Sequence, residues 1–506
     1  MEILLSLTYF ALFLWIIGRM PFFSSDGLTA RTVGIVFSLK VLSGFGLWLI
    51  YSYYYKERNA ADIFKYFDDS KVMFDAIHTR PMDYFQMLFG LGNDKPAFNQ
   101  YYLQMHNWAG QYESNLYNDN HTIIRLNALF RLFSLGYYQV HSVFISFLSL
   151  IGLVALYRSF APLLPGKKKW VMVAVFFIPS VLLWGSGVLK EGVILFGIGL
   201  LIFHWFRLIQ RGFSVSSLLW VAFSVSLLLA TKFYILVSIT PGLAYITWIS
   251  RTEKRFVFLK FVVVMGAYAA LGLGVKYFIP NYDPLQVLSI KQRDFVALAK
   301  GGALLRTDTA MIFLTTEQRK NDLQEIDHTQ TYNLRPGTAF AYWHDYTIEE
   351  DTLFGKQGIN PAVFTMENDM PRSGSLIYMT PLEPTVSSFL RSLPMALINT
   401  CLRPFPNEVN SLMLITPSLE IFVYLIFVCL CLFFRRKKVE HPEYALFCFS
   451  FAMILFVITG LTTAVLGALV RYKVPGLPFL LLSFIFMLDQ EAVIKRIPFL
   501  KRMSDK

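Results

Sequence analysis

Long apolar runs recur along the whole chain, and short polar or basic stretches separate them. An apolar run of about 20 residues, with a range of roughly 17–25, is long enough to cross a hydrocarbon core as a helix. The pattern predicts spanning helices near residues 3–19, 33–54, 139–157, 171–187, 190–206, 216–231, 233–249, 256–279, 413–434, 444–463 and 474–488. A soluble protein of this size could not bury so many runs in one core. We therefore predict an all-α fold, a polytopic transmembrane helix bundle with about eleven spans.

Basic clusters between the runs predict the orientation of the bundle, because Lys and Arg accumulate in cytoplasmic loops. The clusters lie at 167–169, 207–211, 251–255 and 435–438 and in the tail after 494. Placing them on the cytoplasmic side puts the N-terminus outside and the C-terminus in the cytoplasm. We expect an integral membrane protein with this orientation.

Two long segments then fall on the outer side, at 55–138 and 281–412. Both are dense in aromatic residues, in which disordered loops are depleted. We expect large, partly helical outer loops with short helices at the interface. The stretch 384–406 is broken by Pro394 and suits an interfacial or re-entrant segment, although a full span stays open. The sequence thus predicts an N-terminal transmembrane region at 1–280, which includes the first outer loop at 55–138. A large outer loop follows at 281–412, and C-terminal transmembrane helices with a cytoplasmic tail follow at 413–506.

Composition adds little beyond the membrane prediction. Hydrophobic residues make up 55% of the chain and charged residues 16%, with a net charge of +12. Because the positive charges sit in clusters at span ends, we expect no nucleic acid partner. The four cysteines have no metal-site spacing, and three of them lie inside apolar runs. We therefore expect no metal site built from cysteine.

Ionisable residues stand at the predicted outer ends of several spans. A charge at the centre of a spanning helix costs roughly 2.5–3.5 kcal/mol, so such residues are functional candidates by default. The candidate carboxylates are Asp62, Asp69 and Glu191. The candidate binding residues are Tyr66, Lys190, Lys232, Arg403, Arg471 and Lys473. Taken singly, each cation could instead have a structural role, reaching the lipid headgroups or pairing with a neighbouring acid. Asp62 could instead cap a helix.

Several cations beside a membrane suit a phosphate, and at that depth a lipid phosphate. A nearby carboxylate can deprotonate an acceptor hydroxyl that attacks a sugar joined to the phosphate. The cations then stabilise the charge on the leaving phosphate. Asp62 is the leading candidate for the base, because it directly follows the second predicted span and lies four residues before Tyr66.

The chain resembles the GT-C superfamily of polytopic glycosyltransferases, and in particular bacterial members of envelope polysaccharide biosynthesis. The segments that carry the resemblance are Asp62-Ile63-Phe64-Lys65-Tyr66-Phe67, Pro179-Ser180 through Trp184-Gly185-Ser186-Gly187 to Lys190-Glu191, Arg403-Pro404-Phe405-Pro406, and Arg471-Tyr472-Lys473-Val474-Pro475 with Pro478-Phe479. The resemblance implies a polyprenyl-phosphate or polyprenyl-pyrophosphate sugar donor, a lipid or glycan acceptor and a bacterial inner membrane. It assigns the catalytic carboxylate to Asp62 and the donor phosphate to Lys190, Lys232 and Arg471. Some members use a divalent metal ion, so one is possible here.

Three other functions stay open. A polysaccharide polymerase or ligase acting on a lipid-linked glycan also has a large outer loop and arginines, but no base tied to the first outer loop. A flippase needs charged residues along the middle of several spans. The predicted spans have few such residues: Lys40 and Lys260 lie within or near spans, and we expect both toward the cytoplasmic side. The last possibility is a non-catalytic partner in an envelope complex.

Overall fold

The protein is mostly helical. The computed structural model describes residues 1–55, 58, 61–92, 95–105, 107–108, 119–279, 282–306, 311–315, 320–321, 323–326, 331–334, 339–344, 347–353, 364–370 and 372–503. The helices of the first half are α1 (Glu2–Arg19), α2 (Ala30–Leu49), α3 (Asp62–Thr79), α4 (Pro81–Phe89), α5 (Asn99–Tyr102), α6 (Asn120–Ser134), α7 (Tyr138–Phe160), α8 (Lys168–Phe176), α9 (Pro179–Trp184), α10 (Lys190–Arg211) and α11 (Val215–Thr231). The remaining helices are α12 (Phe233–Ser250), α13 (Val257–Gly274), α14 (Pro284–Lys300), α15 (Val386–Leu402), α16 (Leu412–Phe433), α17 (Pro442–Thr462), α18 (Leu466–Tyr472), α19 (Leu477–Met487) and α20 (Gln490–Arg496).

The predicted membrane bundle is confirmed in its main features. Within the described ranges, nine helical segments are long and apolar enough to cross a membrane. They are α1, α2 with the π-helical turn Ile50–Tyr54, α7, α10, α12, α13, α16, α17 and the segment Leu466–Met487 formed by α18 and α19. Helix α11 is apolar but slightly shorter. These ten elements match ten of the eleven predicted apolar runs.

The eleventh predicted span, 171–187, is not one continuous helix. Helix α8 ends at Phe176 and α9 begins at Pro179, with Ile178 extended between them. Proline has no N–H to donate and disfavours a helical residue before it, which explains the break. The two halves still connect the ends of the bundle. Lys167 donates to the carbonyl of Ile485 near the end of α19, and Trp184 lies against Arg471.

Helices α7 and α10 pack at close range in the centre of the bundle. A Cβ added to Gly199 would lie 1.9 Å from the carbonyl oxygen of Gly152, and one added to Gly152 would lie 2.2 Å from that of Leu195. Only glycine allows two helices to approach this closely. The contact holds α10 against α7 and thereby fixes the N-terminus of α10. Helices α10 and α12 begin at one end of the bundle, and α2 and α11 terminate there. We call this the site end.

The region after α14 contains short strands, which the sequence pattern did not predict. The strands are β1 (Gly302–Arg306), β2 (Met311–Thr315), β3 (Leu323–Ile326), β4 (Thr331–Leu334), β5 (Ala339–His344), β6 (Thr347–Leu353) and β7 (Phe364–Met370). They form one antiparallel sheet in the order β3-β4-β7-β1-β2-β5-β6. Strands β1 and β2 each carry a short apolar run inside five residues, which is too short for a helix and typical of a strand. The all-α prediction, with a partly helical outer loop at 281–412, was therefore incomplete in this segment.

Helix α15 covers most of the ambiguous stretch 384–406. It has 17 residues and is not among the described helices that are apolar enough to span. A Cβ on Gly460, in the last turn of α17, would meet the carbonyl oxygen of Ala396 at 2.1 Å. Lys473 donates to the carbonyl oxygens of Thr400 at 3.0 Å and Arg403 at 3.1 Å. These contacts attach α15 beside the end of α17 and the α18–α19 junction.

Candidate functional site

Arg471 joins two of the predicted carboxylates. Its Nε donates to Glu191 Oε1 at 2.6 Å, and its Nη1 donates to Asp62 Oδ2 at 2.7 Å. Arg471 and Glu191 are separated by 280 residues in the chain, and Arg471 and Asp62 by 409. The Glu191 side chain is 2% exposed and the Asp62 side chain 40%. Asp62 is therefore the carboxylate of the pair that a ligand can reach.

The helices place these three charges where the peptide dipoles favour them. Asp62 is the first residue of α3, and Glu191 is the second residue of α10. Arg471 lies in the last turn of α18. Carboxylates are stabilised at helix N-termini and cations at C-termini. One site is therefore built from the ends of three helices that are far apart in sequence.

A second ion cluster lies beside the first. Asp119 binds Lys190 at 2.7 Å through Oδ1 and Lys232 at 2.5 Å through Oδ2. Lys190 also donates to Asn120 Oδ1 at 2.6 Å. Lys190 precedes Glu191 in α10, and Lys232 occupies the turn between α11 and α12. The residue just before α6 thus supplies a carboxylate that bridges the two lysines.

Aromatic rings contact each of the three cations. Tyr66 lies under Lys190, with 5.3 Å from Nζ to the ring centroid, and Tyr472 lies at the same distance from Lys232. Trp184 lies under Arg471, with 5.9 Å from Cζ to the centroid. A cation over a ring face is favourable, and more so where water is excluded. These rings hold the cations in place without neutralising them.

The electrostatics outside the spanning segments fit this arrangement. Burial opposes ionisation of Asp62, but the charge of Arg471 outweighs it and lowers the pKa of Asp62. Desolvation likewise opposes ionisation of the partly buried Asp119, yet Lys232 and Lys190 hold its pKa below the ordinary value. Burial opposes the charge on Lys232 as well, and Asp119 still raises its pKa. Asp62, Asp119 and Lys232 are therefore charged at neutral pH.

The remaining predicted site residues take part in other contacts. Asp69 accepts from the backbone N–H of Asn107 at 2.8 Å and from its side chain at 3.2 Å. Arg403 lies 3.4 Å from Glu408. The Lys473 ammonium group donates to two backbone carbonyl oxygens at the end of α15. The described structure thus gathers Asp62, Tyr66, Glu191, Lys190, Lys232 and Arg471, and it does not bring Asp69, Arg403 and Lys473 into the same set of contacts.

The sequence interpretation missed Asp119 and the buried Glu420, and it gave no binding partner for Lys40. Glu420 of α16 is 5% exposed, accepts from the backbone N–H of Ser180 at 2.7 Å and accepts from the Tyr424 hydroxyl. Lys40 lies in the middle of α2, is fully buried and donates to the carbonyl of Gly185 at 3.1 Å. Gly185 directly follows Trp184, so Lys40 binds the end of α9 that contacts Arg471, and its expected place toward the cytoplasmic side stays a prediction. Glu420 could have been found from the sequence as a lone acid inside an apolar run.

Across the residues that the structure describes, no three His, Cys, Asp or Glu side chains come together as ligands for a metal ion. Comparisons with models of protein families, with curated proteins and with solved structures give no match to this chain.

Proposed function

We propose that this protein is a membrane glycosyltransferase that moves a sugar from a polyprenyl-phosphate or polyprenyl-pyrophosphate donor to an acceptor hydroxyl. The observation that carries the proposal is the contact of Arg471 with both Asp62 and Glu191. It joins the candidate base to a candidate phosphate-binding cation at one end of a membrane bundle. A lipid-linked donor would keep its chain in the bilayer and present its phosphate at this depth.

The proposed reaction is a single displacement. The Asp62 carboxylate takes the proton of the acceptor hydroxyl, whose oxygen attacks the anomeric carbon of the sugar. The bond from that carbon to the phosphate oxygen breaks, and the lipid phosphate leaves with the electron pair. Cations hold the charge that develops on the leaving group. Attack opposite the leaving phosphate inverts the anomeric centre.

Asp62 suits the base better than Glu191 for reasons of access. The Asp62 side chain is 40% exposed, whereas Glu191 is 2% exposed and bound to Arg471. A base must reach the proton that it removes. Glu191 acts instead as the counter-ion that keeps Arg471 in place, and Arg471 keeps Asp62 ionised.

Arg471, Lys190 and Lys232 suit a phosphate because they come from separate elements and converge on one side of the bundle. Asp119 bridges the two lysines with both carboxylate oxygens. Carboxylates and phosphates offer the same kind of oxygen to ammonium donors. A ligand phosphate would therefore bind here by sharing or displacing the Asp119 carboxylate.

The test compares Asp62→Asn with Asp68→Asn in the full-length protein reconstituted in lipid. Asp68 lies on the same helix, its side chain is also 40% exposed, and it pairs with Arg58 outside the site. The assay measures release of polyprenyl phosphate from a panel of labelled polyprenyl-phosphate hexoses, with water or added glycans as acceptors. Loss of a general base lowers the rate by about 10²–10⁴-fold, so Asp62→Asn should lose at least about 100-fold and Asp68→Asn almost nothing.

Full activity of Asp62→Asn would refute the proposed base. If that variant still joined whole lipid-linked glycans while Arg471→Gln did not, the polymerase or ligase alternative would replace the present proposal. No release from any donor by the wild-type protein would refute the proposed function itself.

A further inference from the structure

Two buried ionisable side chains hold the short helix α9 at its two ends. Glu420 accepts from the backbone N–H of Ser180 at the start of α9. Lys40 donates to the carbonyl oxygen of Gly185, just after its last residue. The two residues come from different spanning helices, α16 and α2, and are 5% and 0% exposed. A helix of six residues is thereby fixed from both sides.

The signs of these charges match the ends of α9 that they contact. A carboxylate is favourable at a helix N-terminus and an ammonium at a C-terminus. Both groups also satisfy backbone polar atoms that the break in the α8–α9 span leaves without helical partners. Burying a Lys and a Glu inside a membrane is expensive, even where each has a partner. Such a cost is typical of a segment that has to be held in one position.

Helix α9 ends on Trp184, which faces the site. Its ring is the one that lies under Arg471. The residue is 3% exposed, and its indole Nε1 is buried without a hydrogen-bond partner among the described residues. Tryptophan Nε1 can only donate, and buried indole N–H groups usually find a partner. The structure therefore holds a hydrogen-bond donor, unpaired within the described ranges, on a buried ring that contacts the guanidinium.

We infer that Trp184 is a further binding residue, whose indole N–H donates to a phosphate oxygen of the ligand that Arg471 binds. The inference rests on the proposed function for the identity of that phosphate. Nε and Nη1 of Arg471 bind the two carboxylates, and Nη2 carries neither of these bonds. A neutral indole donor beside a cation matches an oxyanion, because both groups donate and neither accepts.

The test uses Trp184→Phe, which keeps an aromatic ring under Arg471 and removes the N–H. Trp170→Phe is the matched control. Trp170 lies on α8, is 7% exposed, and its Nε1 is also buried and unpartnered among the described residues, but its ring packs against Phe427. The full-length protein in lipid nanodiscs is titrated with farnesyl phosphate and, separately, with farnesol. Thermal unfolding of each variant is measured in parallel.

We expect the wild type to bind farnesyl phosphate more tightly than farnesol. Trp184→Phe should bind farnesyl phosphate about tenfold or more weakly, which is the size of one hydrogen bond to a charged group, with farnesol binding unchanged. Trp170→Phe should match the wild type. Equal binding of farnesyl phosphate by Trp184→Phe and the wild type would overturn the inference and leave the proposed function intact. A wild type that does not distinguish the two probes would overturn both. A phosphate effect of Trp184→Phe in a protein that transfers no sugar would refute only the glycosyltransferase proposal.

Discussion

The bridging carboxylate of Asp119 gives the sharpest test of how the cationic cluster is held together. In Asp119→Asn, one amide oxygen remains to accept from one lysine, and the other lysine loses its partner. Both ammonium groups are largely buried, with 5% of Lys190 and 17% of Lys232 exposed. Removing one partner of a buried ion pair costs about 3–5 kcal/mol. Because an acceptor oxygen is retained and Asn120 still accepts from Lys190, we expect a loss of about 3 kcal/mol.

The contribution of the Asp119–Lys232 pair to this loss should be nearly independent of pH over a wide range. The pKa of Asp119 is lower in the folded protein, so its stabilising contribution is present above its unfolded pKa of about 3.9 and is lost as the pH falls through the folded value. The pKa of Lys232 is raised, so its contribution is full below about 10.4 and is lost as the pH rises through the folded value. The part of the stability difference that comes from the Asp119–Lys232 pair should therefore be flat between about pH 5 and pH 9.

The assay is thermal unfolding in detergent, with and without inorganic phosphate. Asp283→Asn is the control, because Asp283 is exposed to a similar extent, 23% against 21% for Asp119, and pairs with a single described lysine, Lys276, at 3.6 Å. The backbone N–H of Leu285 also donates to Asp283 at 2.9 Å, and the asparagine oxygen can keep this contact. At a hundredfold excess over its Kd, phosphate should stabilise Asp119→Asn by about 2.7 kcal/mol and the wild type by less, because it replaces the carboxylate that the variant lacks. An Asp119→Asn protein as stable as Asp283→Asn, or one indifferent to phosphate, would refute this account of the cluster.

Three further changes test the elements that hold the site. Gly199→Ala should strongly destabilise the protein in thermal unfolding, because its Cβ would lie 1.9 Å from a carbonyl oxygen of α7. The control is Gly272→Ala on α13, whose Cβ would meet nothing within 4 Å and which should be neutral in the same assay. Lys473→Met should free the end of α15, and faster hydrogen exchange across that helix relative to wild type would verify it, while unchanged exchange would contradict it. Glu420→Gln, which keeps an oxygen acceptor for the Ser180 N–H, should retain farnesyl phosphate binding, and Glu420→Leu should weaken it; equal binding by the two variants would exclude a positioning role.

Apolar run length predicted the spanning helices well, because crossing a bilayer imposes a length that the sequence displays directly. It failed where a span is broken. Pro179 was visible in the run 171–187, but the compensation for the break comes from Glu420 and Lys40 on other helices. It also failed in 281–412, where five-residue strands give too short a pattern to distinguish from interfacial helix. Local pattern does not contain these tertiary partners.

The candidate site was predictable only in part for the same reason. Asp62, Glu191 and Arg471 stood out because charge at a span end is expensive. Asp119 did not, because it lies inside a polar stretch where one carboxylate resembles any other. Its contacts with Lys190 and Lys232 distinguish it from the other acids of that stretch. These contacts depend on the tertiary placement of the residue just before α6. Trp184 was named only within a segment that carries the family resemblance, because its contact with Arg471 cannot be read from the sequence.

The positions of the charged residues bear on whether the protein acts at the membrane surface or carries a substrate across the membrane. A translocation path needs polar groups that line a cavity along the depth of several spans. Lys40 and Glu420 are at that depth, but each is buried and bound to the backbone around the same short helix. Their charges are used to hold α9, and a passing substrate could not contact them without releasing it. The accessible carboxylate, on Asp62, stands instead at the end of the bundle, where α3 begins. That arrangement favours a reaction at the membrane surface over passage through it.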